Sequence, residues 1–141
     1  MFVSLTRLRL RSPRFLPGFA WVAWRSTAQL RRADGFRRGA LLTEPGLGFW
    51  TATVWHDEEA MRAYHNADAQ GRAMRKLARW RDEASVAHWY TDDEVVLDRN
   101  ALRTRMIAEG RLSKVRYPSP THAVGRIETR PLRAPLPIAA S

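Results

Sequence analysis

The sequence predicts an α+β domain in the order β-α-β-β-α-β, followed by a C-terminal extension. Three observations carry this. Four segments read as strands, at 2–10, 36–43, 47–56 and 85–90, the first by partial period-two alternation and the third by its aromatic and β-branched content. Two stretches with three- and four-residue apolar spacing separate the first pair and the last pair of these segments. A short Pro-Gly turn joins the middle two into a hairpin. A chain of 141 residues suits one domain.

In residues 2–10, Val3, Leu5, Arg7 and Arg9 alternate with Phe2, Ser4, Thr6, Leu8 and Leu10. This predicts a strand with its even-numbered face buried. Ser12 offers an N-cap and Pro13 fits a first helical position. Phe15, Phe19, Val22, Ala23, Ser26 and Leu30 then share one helix face, which Trp21, Trp24 and Ala28 widen; Arg25, Gln29, Arg31 and Arg32 fall opposite. Asp34-Gly35 ends that helix with a residue free to adopt positive φ.

Residues 36–43 form the second strand, and Glu44-Pro45-Gly46 the turn. Residues 47–56 (LGFWTATVWH) give the strongest strand signal. Phe49, Thr51, Thr53 and Trp55 share one face; Trp50, Ala52, Val54 and His56 share the other. Asp57 can cap a second helix, with Glu58 and Glu59 in its first turn. That helix runs through Ala60, Met61, Tyr64 and Ala67 to Ala73, Met74, Leu77 and Trp80, with a break or bend at 66–71. Residues 85–90 (SVAHWY) are the fourth strand. An acidic run at 92–94 leads to a helix over 98–109, stopped by Gly110.

The domain is therefore expected over 1–110, with a basic extension over 111–141. The extension holds five of the eight prolines, at 118, 120, 131, 135 and 137, and no periodicity. It also carries Val115, Tyr117, Val124, Ile127, Leu132, Leu136 and Ile138, more large apolar residues than a disordered tail holds. This predicts an ordered arm packed on the body. The βαββαβ order is that of a ferredoxin-like unit, with both helices on one sheet face. The opposite face would be open and aromatic-rich. Burying each such side chain gains roughly 1.5–3 kcal/mol, which predicts a homodimer closed sheet to sheet.

There is no cysteine, which excludes disulfides, thiolate metal sites and a cysteine nucleophile. The basic N-terminus lacks a continuous apolar core, and the longest apolar stretch, 15–24, has about ten residues against the roughly 20 that span a bilayer. A cytoplasmic protein without a transmembrane segment is expected. The net charge of +10 is uneven: residues 1–38 hold nine Arg against one Asp, the middle is mildly acidic, and the extension is basic again. Such a surface could attract nucleic acid or anionic lipid. No RNP strand, zinc-finger spacing or helix-turn-helix accompanies it, so a nucleic-acid partner is not expected.

Asp34-Gly35-Phe36, the run from Phe49 to Trp55, and Asp57-Glu58-Glu59-Ala60-Met61 with Tyr64 following resemble the antibiotic biosynthesis monooxygenase family of dimeric α+β barrels. The stretch from Phe49 to Trp89, with Trp80 and Glu83 in a Trp-x-x-Glu element, is similar to the spheroidene monooxygenase-like branch. The resemblance covers about residues 2–90. It implies cofactor-independent oxygenation of electron-rich substrates, haem-dependent oxygenation or haem degradation, or small non-oxygenase roles. Haem-degrading members carry an aromatic on the second helix and a His about ten residues later. Tyr64 matches the first and Met74 stands at the second, a departure from that pattern, although a thioether can be a weak axial ligand.

Among the four histidines no pair has i,i+4 spacing, and no metal site is expected. His88, mid-strand with Val86 and Tyr90, is either a packed core residue or a cavity base or haem ligand. His65, beside Tyr64 on the second helix, is either solvent-facing or fills those same roles. His56 and His122 carry little signal. Trp50, Tyr64, Met74, Trp80 and Glu83 are the substrate-contact candidates. The expected function is a monooxygenase-like enzyme acting on a hydrophobic aromatic or polyene substrate between helices and sheet, with no cofactor or with haem. A non-catalytic dimeric protein that binds a small ligand or haem is the alternative.

Overall fold

The computed structural model describes residues 1–67, 75–91 and 97–140. Met74 and the acidic run at 92–94 lie outside these, as does most of the expected break at 66–71. The elements are β1 (Phe2–Leu10), a 3-10 turn (Pro13–Phe15), α1 (Leu16–Leu30), β2 (Phe36–Glu44), β3 (Gly48–Trp55), α2 (Glu58–His65), helical residues 75–80, β4 (Arg81–Tyr90), α3 (Arg99–Glu109), β5 (Arg111–Leu112), α4 (Pro120–Ala123) and β6 (Leu136–Ala139). All strand pairs are antiparallel, in the order β5-β4-β1-β3-β2-β6. The four central strands have the ferredoxin-like arrangement, and the extension adds one strand to each edge.

The predicted caps at Asp57 and Ser12 are in place, and Asp98, expected as the first residue of its helix, is instead its N-cap. Asp57 accepts from the Ala60 N–H at 2.8 Å and Asp98 from the Ala101 N–H at 2.9 Å. Ser12 caps the 3-10 turn that leads into α1. Gly35 and Gly46 have φ of 83° and 89°, the left-handed values their turns require.

Several expectations need correction. β4 begins at Arg81, not Ser85, because Asp82 and Glu83 meet arginines of β1 that a strand-poor acidic pair conceals. On β1 the odd-numbered face is as deeply buried as the even one: Val3, Leu5 and Arg7 are all buried. The reason lies beyond residue 97. Leu102 and Met106 of α3, together with Leu132, pack on Leu5, Ala40, Leu42, Trp50, Ala52 and Ala87. The sheet face expected to be open is thus covered by residues of the chain itself. Trp21 and Trp24 do not widen the buried face of α1; both point outward.

Candidate functional site

Cross-strand register fixes what faces α1 and α2. Phe2, Ser4, Thr6 and Leu8 pair with Trp55, Thr53, Thr51 and Phe49 on one side and with Tyr90, His88, Val86 and Ala84 on the other. Directly paired residues share a face, so this face presents a row of hydroxyls bounded by aromatics. Above it, α1 contributes Phe19, Val22, Ala23, Ser26 and Leu30, and α2 contributes Met61, Tyr64 and His65. Between the layers lies a cavity of about 800 Å³, a size suited to a small organic ligand.

Its floor is internally hydrogen-bonded. The Thr6 hydroxyl donates to the Thr51 carbonyl at 3.4 Å and the Thr53 hydroxyl to the Ser4 carbonyl at 3.3 Å. The Trp55 indole N–H donates to Thr53 Oγ1 at 2.9 Å, which fixes that ring as an end wall. Trp55 also contacts Phe36 and Tyr64, with centroids 5.5 Å away in each case. Tyr64 donates to the Ser26 carbonyl at 3.0 Å, tying α2 to α1. Burial pushes its phenol up to about 12, so it stays protonated.

The polar end gathers His65, His88, Glu58, Arg62 and Arg111, all lining the cavity. Glu58 accepts from Arg62 at 2.8 and 3.1 Å and from the Tyr90 hydroxyl at 3.1 Å. Burial pushes the His65 imidazole below its ordinary value, and nearby His88 pushes it the same way. His88 is exposed on its strand, at the cavity mouth. It too is lowered, first by partial desolvation, then by the Arg111 guanidinium, against a smaller upward pull from Glu58. Both effects favour the neutral imidazole, the form that accepts a proton or a metal.

The other sequence candidates lie elsewhere. The Trp50 side chain is on the far sheet face, where its indole N–H donates to Glu44 Oε1 at 3.0 Å. Glu83 lies on that face as well. Arg7 bridges the two carboxylates, at 2.5 Å to Glu44 and 2.8 Å to Glu83, with all three side chains buried. The Ser119 hydroxyl donates to Glu83 at 2.7 Å and the Arg130 N–H to Glu44 at 2.8 Å, so the cluster clasps the extension. Gly48 makes room for it: a Cβ there would overlap the Glu44 side chain. Trp80 stacks on Phe15 and lies against Gly18, outside the cavity lining.

His65, His88 and Tyr64 thus converge on the cavity, and Trp50, Trp80 and Glu83 do not take part with their side chains. The hydroxyl floor was readable in Ser4-x-Thr6 and Thr51-x-Thr53 at matching strand positions. Glu58 was recognised only as a first-turn acid, and Arg111 had no signal because β5 is two residues long. Among the described residues no group of three His, Asp or Glu side chains could hold a metal ion, and no helix is long and apolar enough to cross a membrane.

No family model matches the chain, and no curated protein matches it in sequence. Solved structures do match in shape. A candidate antibiotic biosynthesis monooxygenase from Nitrosomonas europaea is 14% identical, with a TM-score of 0.60 over 66% of this chain and 100% of that one. A second such candidate, from Deinococcus radiodurans, is 15% identical at a TM-score of 0.60, covering 70% and 99%. SnoaB, a cofactor-independent oxygenase from Streptomyces nogalater, is 20% identical at 0.53, covering 69% and 97%. About a third of this chain has no counterpart in these structures, which are matched almost end to end. At such identities the likeness is one of fold, and the chain has the ferredoxin-like α+β fold of the antibiotic biosynthesis monooxygenases.

Proposed function

We propose that the chain is a monooxygenase-like enzyme acting on a hydrophobic aromatic or polyene substrate held between sheet and helices. The observation that carries this is the placement of two imidazoles, His65 and His88, at the polar end of an otherwise largely apolar cavity. The fold likeness to SnoaB supports cofactor-free chemistry. The sequence resemblance to the spheroidene monooxygenase-like branch supports a polyene as the alternative to an aromatic substrate.

In the cofactor-free reaction a neutral imidazole takes a proton from an acidic C–H of the substrate. The carbanion passes one electron to dioxygen, and the radical pair combines as a peroxide. Loss of water leaves a carbonyl. The substrate loses two hydrogens and gains one oxygen atom, the second oxygen leaves as water, and no outside reductant is consumed. Glu58 favours the imidazolium that forms on His88. The apolar roof keeps water from the carbanion. Tyr64, protonated and held on Ser26, is a wall of the pocket rather than a base.

Haem fits the same donors: His65 or His88 would ligate its iron through an imidazole nitrogen, and Arg111 would be a cation near its carboxylates. When bound it would supply dioxygen activation at iron. A Soret band in the purified protein would select this route. The test of the enzyme reading is dioxygen uptake with an anthrone, whose central methylene is acidic and flanked by aromatic rings. The wild type should consume dioxygen without added cofactor, and His88→Ala should lower kcat by about 100-fold or more. Tight anthrone binding with no uptake would make this a ligand-binding protein instead.

A further inference from the structure

α1 has a second face that the cavity does not use. Trp21 and Trp24 are 57% and 66% exposed, and their rings stack with centroids 5.6 Å apart. Pro17, Ala20 and Ala28, also exposed, continue the same stripe at helical spacing. Arg14 and Arg25 flank it, and Arg31 and Arg32 follow its C-terminal end, all four exposed. None of the four forms an ion pair among the described residues. Residues 1–33 contain no Asp or Glu at all.

A soluble helix normally sets charged residues, not paired indoles, at its most exposed positions. Indoles combine a broad apolar body with a polar N–H, and they concentrate where a hydrocarbon phase meets water. Guanidiniums without a carboxylate partner attract phosphate headgroups, at a distance set by salt; Arg31 meanwhile donates to the Ala139 carbonyl at 3.0 Å and Arg14 lies over the Phe15 ring. An apolar stripe with cationic borders and no acid is the pattern of a helix lying in a membrane interface. Bare phosphate attraction would not call for the indoles, and a second copy of this surface would bring like charges together.

We infer that the outer face of α1 docks the protein on an anionic lipid bilayer through Trp21 and Trp24, with Arg14, Arg25, Arg31 and Arg32 meeting the headgroups. The opposite face of the same helix is the cavity roof. If the function proposed above holds, the docked roof adjoins the phase that concentrates apolar substrates, but the docking itself does not depend on that reading.

The test is co-sedimentation of the full chain with phosphatidylglycerol-phosphatidylcholine vesicles and with pure phosphatidylcholine vesicles. The Trp21→Ala/Trp24→Ala double variant and Arg25→Glu are run beside it. Tryptophan emission and analytical ultracentrifugation are followed in parallel. The wild type should bind the anionic vesicles, with a blue shift in emission, and bind neutral vesicles about tenfold or more weakly. Each variant should keep its melting temperature, since these side chains are exposed, and the double variant should lose about tenfold or more in vesicle affinity along with the blue shift. Three results would overturn the inference: no binding to anionic vesicles, binding unchanged in both variants, or a wild-type dimer that the double variant dissolves without vesicle binding. Oligonucleotide binding in place of vesicle binding would overturn it too.

Discussion

Arg7→Met is the substitution whose cost follows most directly from the structure. Met matches the aliphatic reach of Arg and removes only the cation. Glu44 and Glu83 would then stay buried on the same sheet face, 2.5 and 2.8 Å from a guanidinium that is gone. Trp50, Ser119 and Arg130 would still donate to them, but no buried positive charge would remain; Arg9, at 3.3 Å from Glu83, is on the partly exposed rim. Removing one partner from a buried ion cluster costs about 3–5 kcal/mol, a large part of a typical 5–15 kcal/mol. For a chain of this size that lowers Tm by about 10–20 °C. The assay is urea unfolding at pH 7 with the m-value held as a control. The pH dependence is a second reading. Burial works against the Glu83 charge, yet hydrogen bonds from Ser119 and Arg7 outweigh it and hold the carboxyl below 4.5. Its contribution is thus present above that pH and lost as pH falls through the folded value. The wild-type advantage over the variant should shrink as pH drops toward 4.5 and below. A loss under about 1 kcal/mol at pH 7, or one independent of pH, would refute the reasoning.

Further expectations rest on other contacts. Because both imidazoles are held below 6.5, the acid limb of any kcat/KM profile should turn below pH 6.5 rather than above it. By linkage the folded state binds fewer protons than the unfolded chain just below that pH, so stability falls as pH drops through it, and His65→Phe should flatten the slope in a pH-stability series. Gly48→Ala should cost about 1–3 kcal/mol in denaturant melts, because its methyl would overlap the Glu44 side chain. Truncation after Gly110 removes β5 and β6 and exposes the surfaces that Leu132 and Ile138 cover. Two such side chains at about 1.5–3 kcal/mol each should lower the unfolding free energy by about 3–6 kcal/mol.

The fold was legible where local chemistry and tertiary role agree. β3 is aromatic and β-branched on both faces, and both faces are buried, so its pattern survived intact. The Asp57 cap was legible because it acts within one helical turn. Long-range events were not. Asp82 and Glu83 look like loop residues until Arg7 and Arg9 stand opposite them. The cover of the far sheet face comes from Leu102, Met106 and Leu132, spread over some thirty residues with no common period. Trp21 and Trp24 read as core because an indole is usually buried; only the structure shows that α1 turns them to solvent. At the site, His65, His88 and Tyr64 were reached by residue chemistry and element position. Arg111 was not, since a two-residue strand in a proline-rich arm leaves no pattern.

Turnover of an anthrone under heavy-isotope dioxygen, with no cofactor added, tests the central claim most directly. The account predicts one labelled oxygen atom in the new product carbonyl, labelled water as the other product, and loss of both signals in the His65→Ala/His88→Ala double variant. An unlabelled product, or labelling that persists in the double variant, would contradict it.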